Sequence, residues 1–199
     1  ASYSSPIIIT PGENPSVAFF NAVGLVVRAA NDGRELWRFP WKTQYDVNAA
    51  TPIPVGGDVF ISSGYGHGGA LVRPSGKTAE PVWASKSMRN QINSSVLWQG
   101  HLYGFDESSF NCLDATSGTV KWKRGGLGKG SLVLADGKLV IMSEKGQLVI
   151  AHPNPEKFES LAEAQVLSKN RCWVVPTIAH GRIFVRNNEG DAVALDVRG

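Results

Sequence analysis

The 199-residue chain is poor in the features that most directly reveal a function. It has two cysteines, Cys112 and Cys172, far apart, so neither a zinc-type cluster nor a multi-disulfide framework is available. A single Cys112–Cys172 bridge would need a close Cα approach that two distant positions seldom meet, and Cys112 reads as a small buried thiol. No run of about 18 apolar residues occurs, so no segment reads as a membrane-spanning helix. The net charge of +3 is too small to argue for nucleic acid or a membrane surface as partner. No Ser-His-Asp order, His-Glu-x-x-His motif or pair of carboxylates can be placed, so nothing supports an enzyme. Helical periodicity is nearly absent. Residues 154–167, "NPEKFESLAEAQVL", are the exception, with Phe158, Leu161 and Ala162 at helical spacing behind Pro155-Glu156.

What is present is glycine (22) and tryptophan (6) on an ordinary globular background of 42% hydrophobic and 19% charged residues. The glycines are periodic. A small residue or proline, an apolar strand, a Gly turn and a second apolar strand recur five times: "SSPIIITPGENPSVAFF", "ATPIPVGGDVFIS", "NSSVLWQGHLYGF", "GSLVLADGKLVIM" and "VVPTIAHGRIFV". The turn glycines Gly57, Gly100, Gly137 and Gly181 lie 43, 37 and 44 residues apart. A glycine between two alternating apolar runs is a strong hairpin signal, because it supplies the positive φ that tight hairpin turns require. A third strand-like run follows each hairpin ("GLVVRA", "GGALVR", "FNCLDA", "GQLVIA", "DAVALD"). A fourth follows in most units ("ELWRF", "PVWAS", "TVKWK" and a degenerate "AEAQVL").

A four-stranded antiparallel unit repeating about every 40 residues predicts an all-β fold, a β-propeller. An even internal period argues against a β-sandwich. The whole of 1–199 reads as one propeller region with blades at approximately 4–40, 47–86, 92–124, 129–167 and 172–199, the last with three strands. Small residues open each unit (Ser5-Pro6, Thr51-Pro52, Ser94-Ser95, Ser131, Pro176), as the crowded axis would demand. The chain begins on an inner strand without an initiating Met or a signal-peptide pattern and ends before a fifth outer strand. It is therefore expected to be the C-terminal portion of a larger, eight-bladed ring, with open ends covered by the missing blades or by a second copy.

Trp37, Trp83 and Trp122 recur on the fourth strand. Asp114 and Gly118 precede Trp122; Gly33 precedes Trp37; Asp196 ends the last third strand. The Trp is expected to plug the gap between blades, the Asp to cap the turn and the Gly to supply its positive φ. These roles are structural.

"CLDATSGTVKW" and "ALDVRG" resemble the tryptophan-docking repeat of pyrroloquinoline-quinone-like β-propellers, A-x-D-x-x-x-G-x-x-x-W. The resemblance runs from Ser4 to Arg198 and is uneven. The motif Asp is Ala29 in the first unit and His152 in the fourth, the Gly is displaced in the second, and the fourth unit has no Trp. This family contains quinoprotein dehydrogenases using quinone and Ca²⁺. It also contains a non-catalytic branch that includes the propeller lipoprotein of the bacterial outer-membrane barrel assembly machinery. The chain has no vicinal Cys-Cys pair and no Trp-rich insertion, and its acids (Asp46, Asp58, Glu107, Glu144, Glu163) stand singly. The resemblance therefore implies a scaffold with no cofactor and no catalytic residue, located outside the cytoplasm and binding a protein or peptide. A fragment of a quinone-dependent alcohol or sugar dehydrogenase and a carbohydrate-binding propeller are the alternatives.

Two regions are candidates for function. "SSGYGHGGALV" (62–72) has the glycines of a phosphate loop but runs into a strand, not a helix N-terminus, so it reads as an exposed hairpin tip. His67 within it has no second ligand at metal spacing. The connections between units (39–51, 86–95, 124–131 and 168–176) should gather on one face around the channel mouth. They would bring together Trp41, Lys42, Gln44, Tyr45, Arg89, Asn90, Asn93, Lys129, Arg171 and Trp173 from different blades as a partner-binding face.

Overall fold

The hairpin turns set the pattern. In the computed structural model, which describes residues 3–10, 12–168 and 171–198, Gln99-Gly100, Asp136-Gly137 and His180-Gly181 all have positive φ at both positions. That is the sign pattern of a type I′ turn, whose twist matches the flanking strands. In the second unit Gly56 has positive φ and Gly57 does not, which is the pattern of type II′.

Around these turns the first blade is β1 (Ile7–Thr10), β2 (Ser16–Asn21), β3 (Gly24–Ala29) and β4 (Glu35–Pro40). The second is β5 (Ile53–Val55), β6 (Asp58–Ser63), β7 (Gly68–Ser75) and β8 (Thr78–Ser85). The third is β9 (Val96–Trp98), β10 (His101–Asp106), β11 (Ser109–Asp114) and β12 (Val120–Arg124). The fourth is β13 (Ser131–Ala135), β14 (Lys138–Met142), β15 (Gln147–His152) and β16 (Glu159–Gln165). The fifth is β17 (Thr177–Ala179), β18 (Arg182–Arg186) and β19 (Ala192–Asp196). Every blade is an antiparallel meander, as a β-propeller requires. The first two blades also touch at their outer strands through one parallel rung, Arg38↔Thr78, with Arg38 N–H donating to Lys77 C=O at 3.2 Å.

Side-chain alternation on the second strand of each blade explains the stacking. In β14, Leu139 and Ile141 face the third blade, while Val140 and Met142 face the fifth. In β6, Val59 and Ile61 pack on the first blade and Phe60 on the third. A strand apolar on both faces cannot bury both within one sheet, so each blade must be sandwiched. The result is four apolar layers, one per blade junction. The end blades keep one bare face each: Phe19 on β2 is 39% exposed and Phe184 on β18 is 40% exposed.

One sequence pattern resolves differently from its local signal, and the two cysteines stay unbridged as read. The helical pattern in 154–167 gives way to strand β16, paired along β15 with Ile150 opposite Ala162. Phe158 is drawn into the third–fourth layer against Trp122, Leu161 is left exposed, and no helix remains for them to share a face on. Cys112 and Cys172 are both buried thiols in different layers, third–fourth and fourth–fifth, so the bridge is not formed. Burial raises both thiol pKa values, that of Cys112 to about 11, which leaves it a poor nucleophile at neutral pH.

Candidate partner-binding face

At the outer edge, Trp83 Nε1 donates to the Ala115 carbonyl (3.0 Å) and Trp122 Nε1 to the Asn154 carbonyl (2.9 Å), each in the following blade. Gly118 (φ +71) lies flat beneath the Trp83 ring; a Cβ there would come within 2.6 Å of it. Gly33 (φ +72) has nothing within 4 Å of where a Cβ would stand. Where the fourth unit lacks the motif glycine, Phe158 meets Trp122 edge to face at 5.7 Å. Trp37 is buried in the first–second layer. Asp114 accepts from the Thr116 hydroxyl (2.7 Å) and amide and from both groups of Ser117, bonds that hold its pKa at about 2. Asp196 similarly accepts the Arg198 amide at 3.1 Å.

The inter-blade connections share one face with the β2–β3, β6–β7, β10–β11, β14–β15 and β18–β19 turns, because each strand reverses direction. Most of the polar candidates there are occupied within the molecule. Arg89 pairs with the buried Asp106 (Nε–Oδ1 2.5 Å, Nη2–Oδ2 3.0 Å) and adds its own amide at 3.0 Å. Burial pulls the Asp106 carboxyl upward, but the Arg89 hydrogen bonds and charge outweigh it and hold its pKa below the ordinary value. Asn90 is buried, donating to Phe105 C=O and accepting from Ser95. Asn93 donates to the carbonyls of Gly130 (3.2 Å) and Trp173 (3.0 Å). Trp173 donates to Glu144 Oε1 at 3.1 Å with Arg171 over its ring at 5.4 Å, and the Lys129 amide donates to Glu144 Oε2. Trp41 donates to Ser63 Oγ at 3.0 Å.

His67 is not on a bare tip. It is half-buried against Trp41, with ring centroids 4.5 Å apart, and burial lowers its pKa. What the face presents to solvent is Lys42, Gln44, Arg171 and, above all, Tyr45 (67% exposed) and Tyr65 (50% exposed), stacked edge to face at 5.6 Å. Tyr45, Asp46, Tyr65, Met88 and Glu107, all in these loops, have positive φ, a backbone state costly for such side chains.

Sequence reasoning did not find Asn48, Ser62, Ser63 or Asp106. Asn48 donates to Asn21 and Trp41 carbonyls and accepts from Ser63, and Ser62 Oγ accepts the Asn90 amide. Only the small polar residues that end the second strands of the first three blades, Asn21, Ser63 and Asp106, hinted at this layer. Beneath the face, Gln91, Asn93, Glu107 and Lys129 border a cavity of about 10 Å³, and Gln91 Oε1 in it has no hydrogen-bond partner. The groove along the inner strands is larger, about 760 Å³, and mostly apolar, with Ile53, Val96, Leu97, Leu132 and Val175 on its wall.

These groups do not fit the quinone and Ca²⁺ of the dehydrogenases. Calcium takes six to eight converging oxygens. Asp106 and Glu144 are committed to Arg89 and to Trp173 with the Lys129 amide. Among the described residues, no group of three or more His, Cys, Asp or Glu is placed to hold a metal. Nor is any helix there long and apolar enough to cross a membrane.

Comparison with known proteins places the fold. The crystal structure of BamB from Moraxella catarrhalis matches with a TM-score of 0.70 and 15% identity, over 98% of this chain and 61% of that one. A computationally designed protein, Ika8, matches with a TM-score of 0.67 and 8% identity, over 96% and 57%. The chain thus spans less than two thirds of the length of either. No curated protein sequence matches it. A family model described as outer membrane protein assembly factor BamB matches residues 4–124 and 106–199, essentially the entire sequence. On that match, carried by the five repeats and the propeller they build, the chain belongs to the BamB-type, quinoprotein-like β-propeller family.

Proposed function

We propose that the chain is a non-catalytic propeller scaffold that docks a protein partner on its loop face, outside the cytoplasm, during outer-membrane protein assembly. The observation that carries this reading is the division of labour on that face. The acids and amides a catalyst would need are consumed in holding loops together, while an aromatic pair, Tyr45 and Tyr65, stands exposed on that rigid base. Exposed tyrosines beside cations are what protein interfaces favour. The family's description as an outer membrane protein assembly factor supports a protein partner. The bare faces of the first and fifth blades fit the same picture: each belongs against further propeller surface, from more of the ring or a second copy.

Photo-crosslinking tests the loop-face reading. A benzoyl-phenylalanine at Tyr45 or Tyr65 should give a discrete protein adduct in bacterial envelopes. The same group at His180, on the opposite face, should not. Equal adducts from both faces, or none from the tyrosines, would overturn it. Retention on a glycan array through Tyr45 and Tyr65 would favour the carbohydrate-binding alternative.

A further inference from the structure

The exposed tyrosines form a corner, not a stack. Tyr45 and Tyr65 meet with ring centroids 5.6 Å apart and planes at 72°, and both keep half or more of their surface in solvent. An apolar ring seated in that corner touches both at once. The corner is also fixed in advance. The amides of Tyr45 and Asp46 donate to the Thr43 carbonyl at 3.2 and 3.3 Å. The Gly66 amide donates to Glu107 Oε1 at 3.0 Å, and the His67 amide to the Gly64 carbonyl at 3.2 Å. Tyr45, Asp46 and Tyr65 all sit at positive φ, so these loops carry their strain before any partner arrives.

Polar groups around the corner are unevenly used. Side-chain acceptors beneath it are engaged: Glu107 by Gly66, Asp106 by Arg89 and Asn48 by Ser63. The donors are not. Both tyrosine side chains, Gln44 and Lys42 are exposed, and among the described residues their polar ends make no hydrogen bond or ion pair within the chain. A backbone that offers carbonyls and asks for no acceptor fits that imbalance. Proline has a carbonyl and no N–H. A proline-rich segment is already extended as a polyproline II helix, so docking costs it little conformational entropy. Its pyrrolidine rings are apolar rings of the kind the corner accepts, as in other aromatic-lined grooves. Beside Tyr45, the Asp46 carboxylate is exposed and likewise unbonded; it is the exception among the acceptors and calls for a cation next to the prolines.

We propose that the Tyr45–Tyr65 corner takes a proline-rich segment of a partner protein, in polyproline II form and with a basic residue beside the prolines. This rests on the loop-face reading above and names the chemistry of its partner.

The test uses the whole chain and fluorescein-labelled decaproline carrying Arg or Glu at both ends, read by fluorescence anisotropy. An Arg-flanked peptide with a Gly-Ser core of equal length is the control. Saturable binding is expected for the Arg-flanked decaproline and none for the control. The Glu-flanked peptide should bind about threefold more weakly, the effect of one exposed ion pair, although the chain's net charge of +3 alone would favour it. Asp46→Asn should erase or reverse that preference. Tyr45→Ala and Tyr65→Ala, each with an unchanged circular dichroism spectrum, should weaken binding at least about tenfold, as loss of an anchoring aromatic does. No saturable binding, equal binding of the Gly-Ser control, or affinity undiminished by both tyrosine variants would each overturn the proposal. Protein adducts at Tyr45 or Tyr65 in envelopes alongside such a failure would leave the loop-face reading standing and remove only the proline-rich partner.

Discussion

The third–fourth junction is clamped by an aromatic and the fourth–fifth is not. At the first, Trp122 lies among Tyr103, Phe110 and Phe158 and donates to the Asn154 carbonyl. At the second, the equivalent outer-strand position is the exposed Ala162, and Val140, Met142, Leu148, Cys172 and Ile183 make the layer unaided. Alternating apolar strands are therefore enough to stack blades. The tryptophan closes the outer margin, where strands diverge and alternation alone leaves a gap.

The largest expected effect comes from breaking the clamp. Trp122→Ala should cost about 3–4 kcal/mol in denaturant unfolding, in the range for truncating a large packed aromatic. A loss below about 1 kcal/mol would make the two junctions equivalent. At the second–third junction, Gly118→Ala should cost about 2 kcal/mol, because it combines a positive φ with a Cβ driven into the Trp83 ring. Gly33→Ala, with the same φ and open space around it, should cost about half as much, from the backbone alone. At the first–second junction, His67→Ala should cost about 1 kcal/mol through lost contact with Trp41.

Asp114→Ala should cost about 1 kcal/mol at neutral pH, like loss of a capping carboxylate. The folded pKa of Asp114 is depressed to about 2, so this stability is present above the ordinary carboxylate range and is lost as pH falls toward 2. Wild type and variant should therefore converge in acid, followed by urea titrations across pH. The smallest effect is the sharpest comparison: Ala162→Trp should shift stability by no more than about 0.5 kcal/mol, since the fourth–fifth layer is already complete. A gain of about 2 kcal/mol would show that this junction lacked only its clamp.

The strands and turns were legible in the sequence because their signals are local. "ADGK" and "AHGR" specify their own turns, and LVI alternation specifies its own faces. Trp83 and Trp122 were legible by position, though not by bonding partner. Residues 154–167 were ambiguous because a degenerate fourth strand loses its tryptophan and its alternation together, and a pairing edge on β15 decides the outcome. The loop face was legible only as a gathering of connections. Arg89 and Asn90 read equally well as ligands for a partner. Only the approach of Asp106 and Ser95, which no local pattern announces, shows that they hold the protein to itself. His67 was misread for the same reason, since Trp41 comes from another blade.

Asn93 has a wider reach than its side chain suggests. The four apolar layers couple each blade only to its neighbours, which alone would make this a one-dimensional stack able to fray from either end. The Asn93 carboxamide, in the second–third connection, grips carbonyls of the next two connections, at Gly130 and Trp173. Thr51 N–H to Ser94 and Ser131 Oγ to Val174 add ties between adjacent connections. A chain of nearest-neighbour couplings that also carries next-nearest ones melts with longer-range cooperativity. Amide exchange in the third, fourth and fifth blades should then rise together in Asn93→Ala, as though a drawstring had been cut.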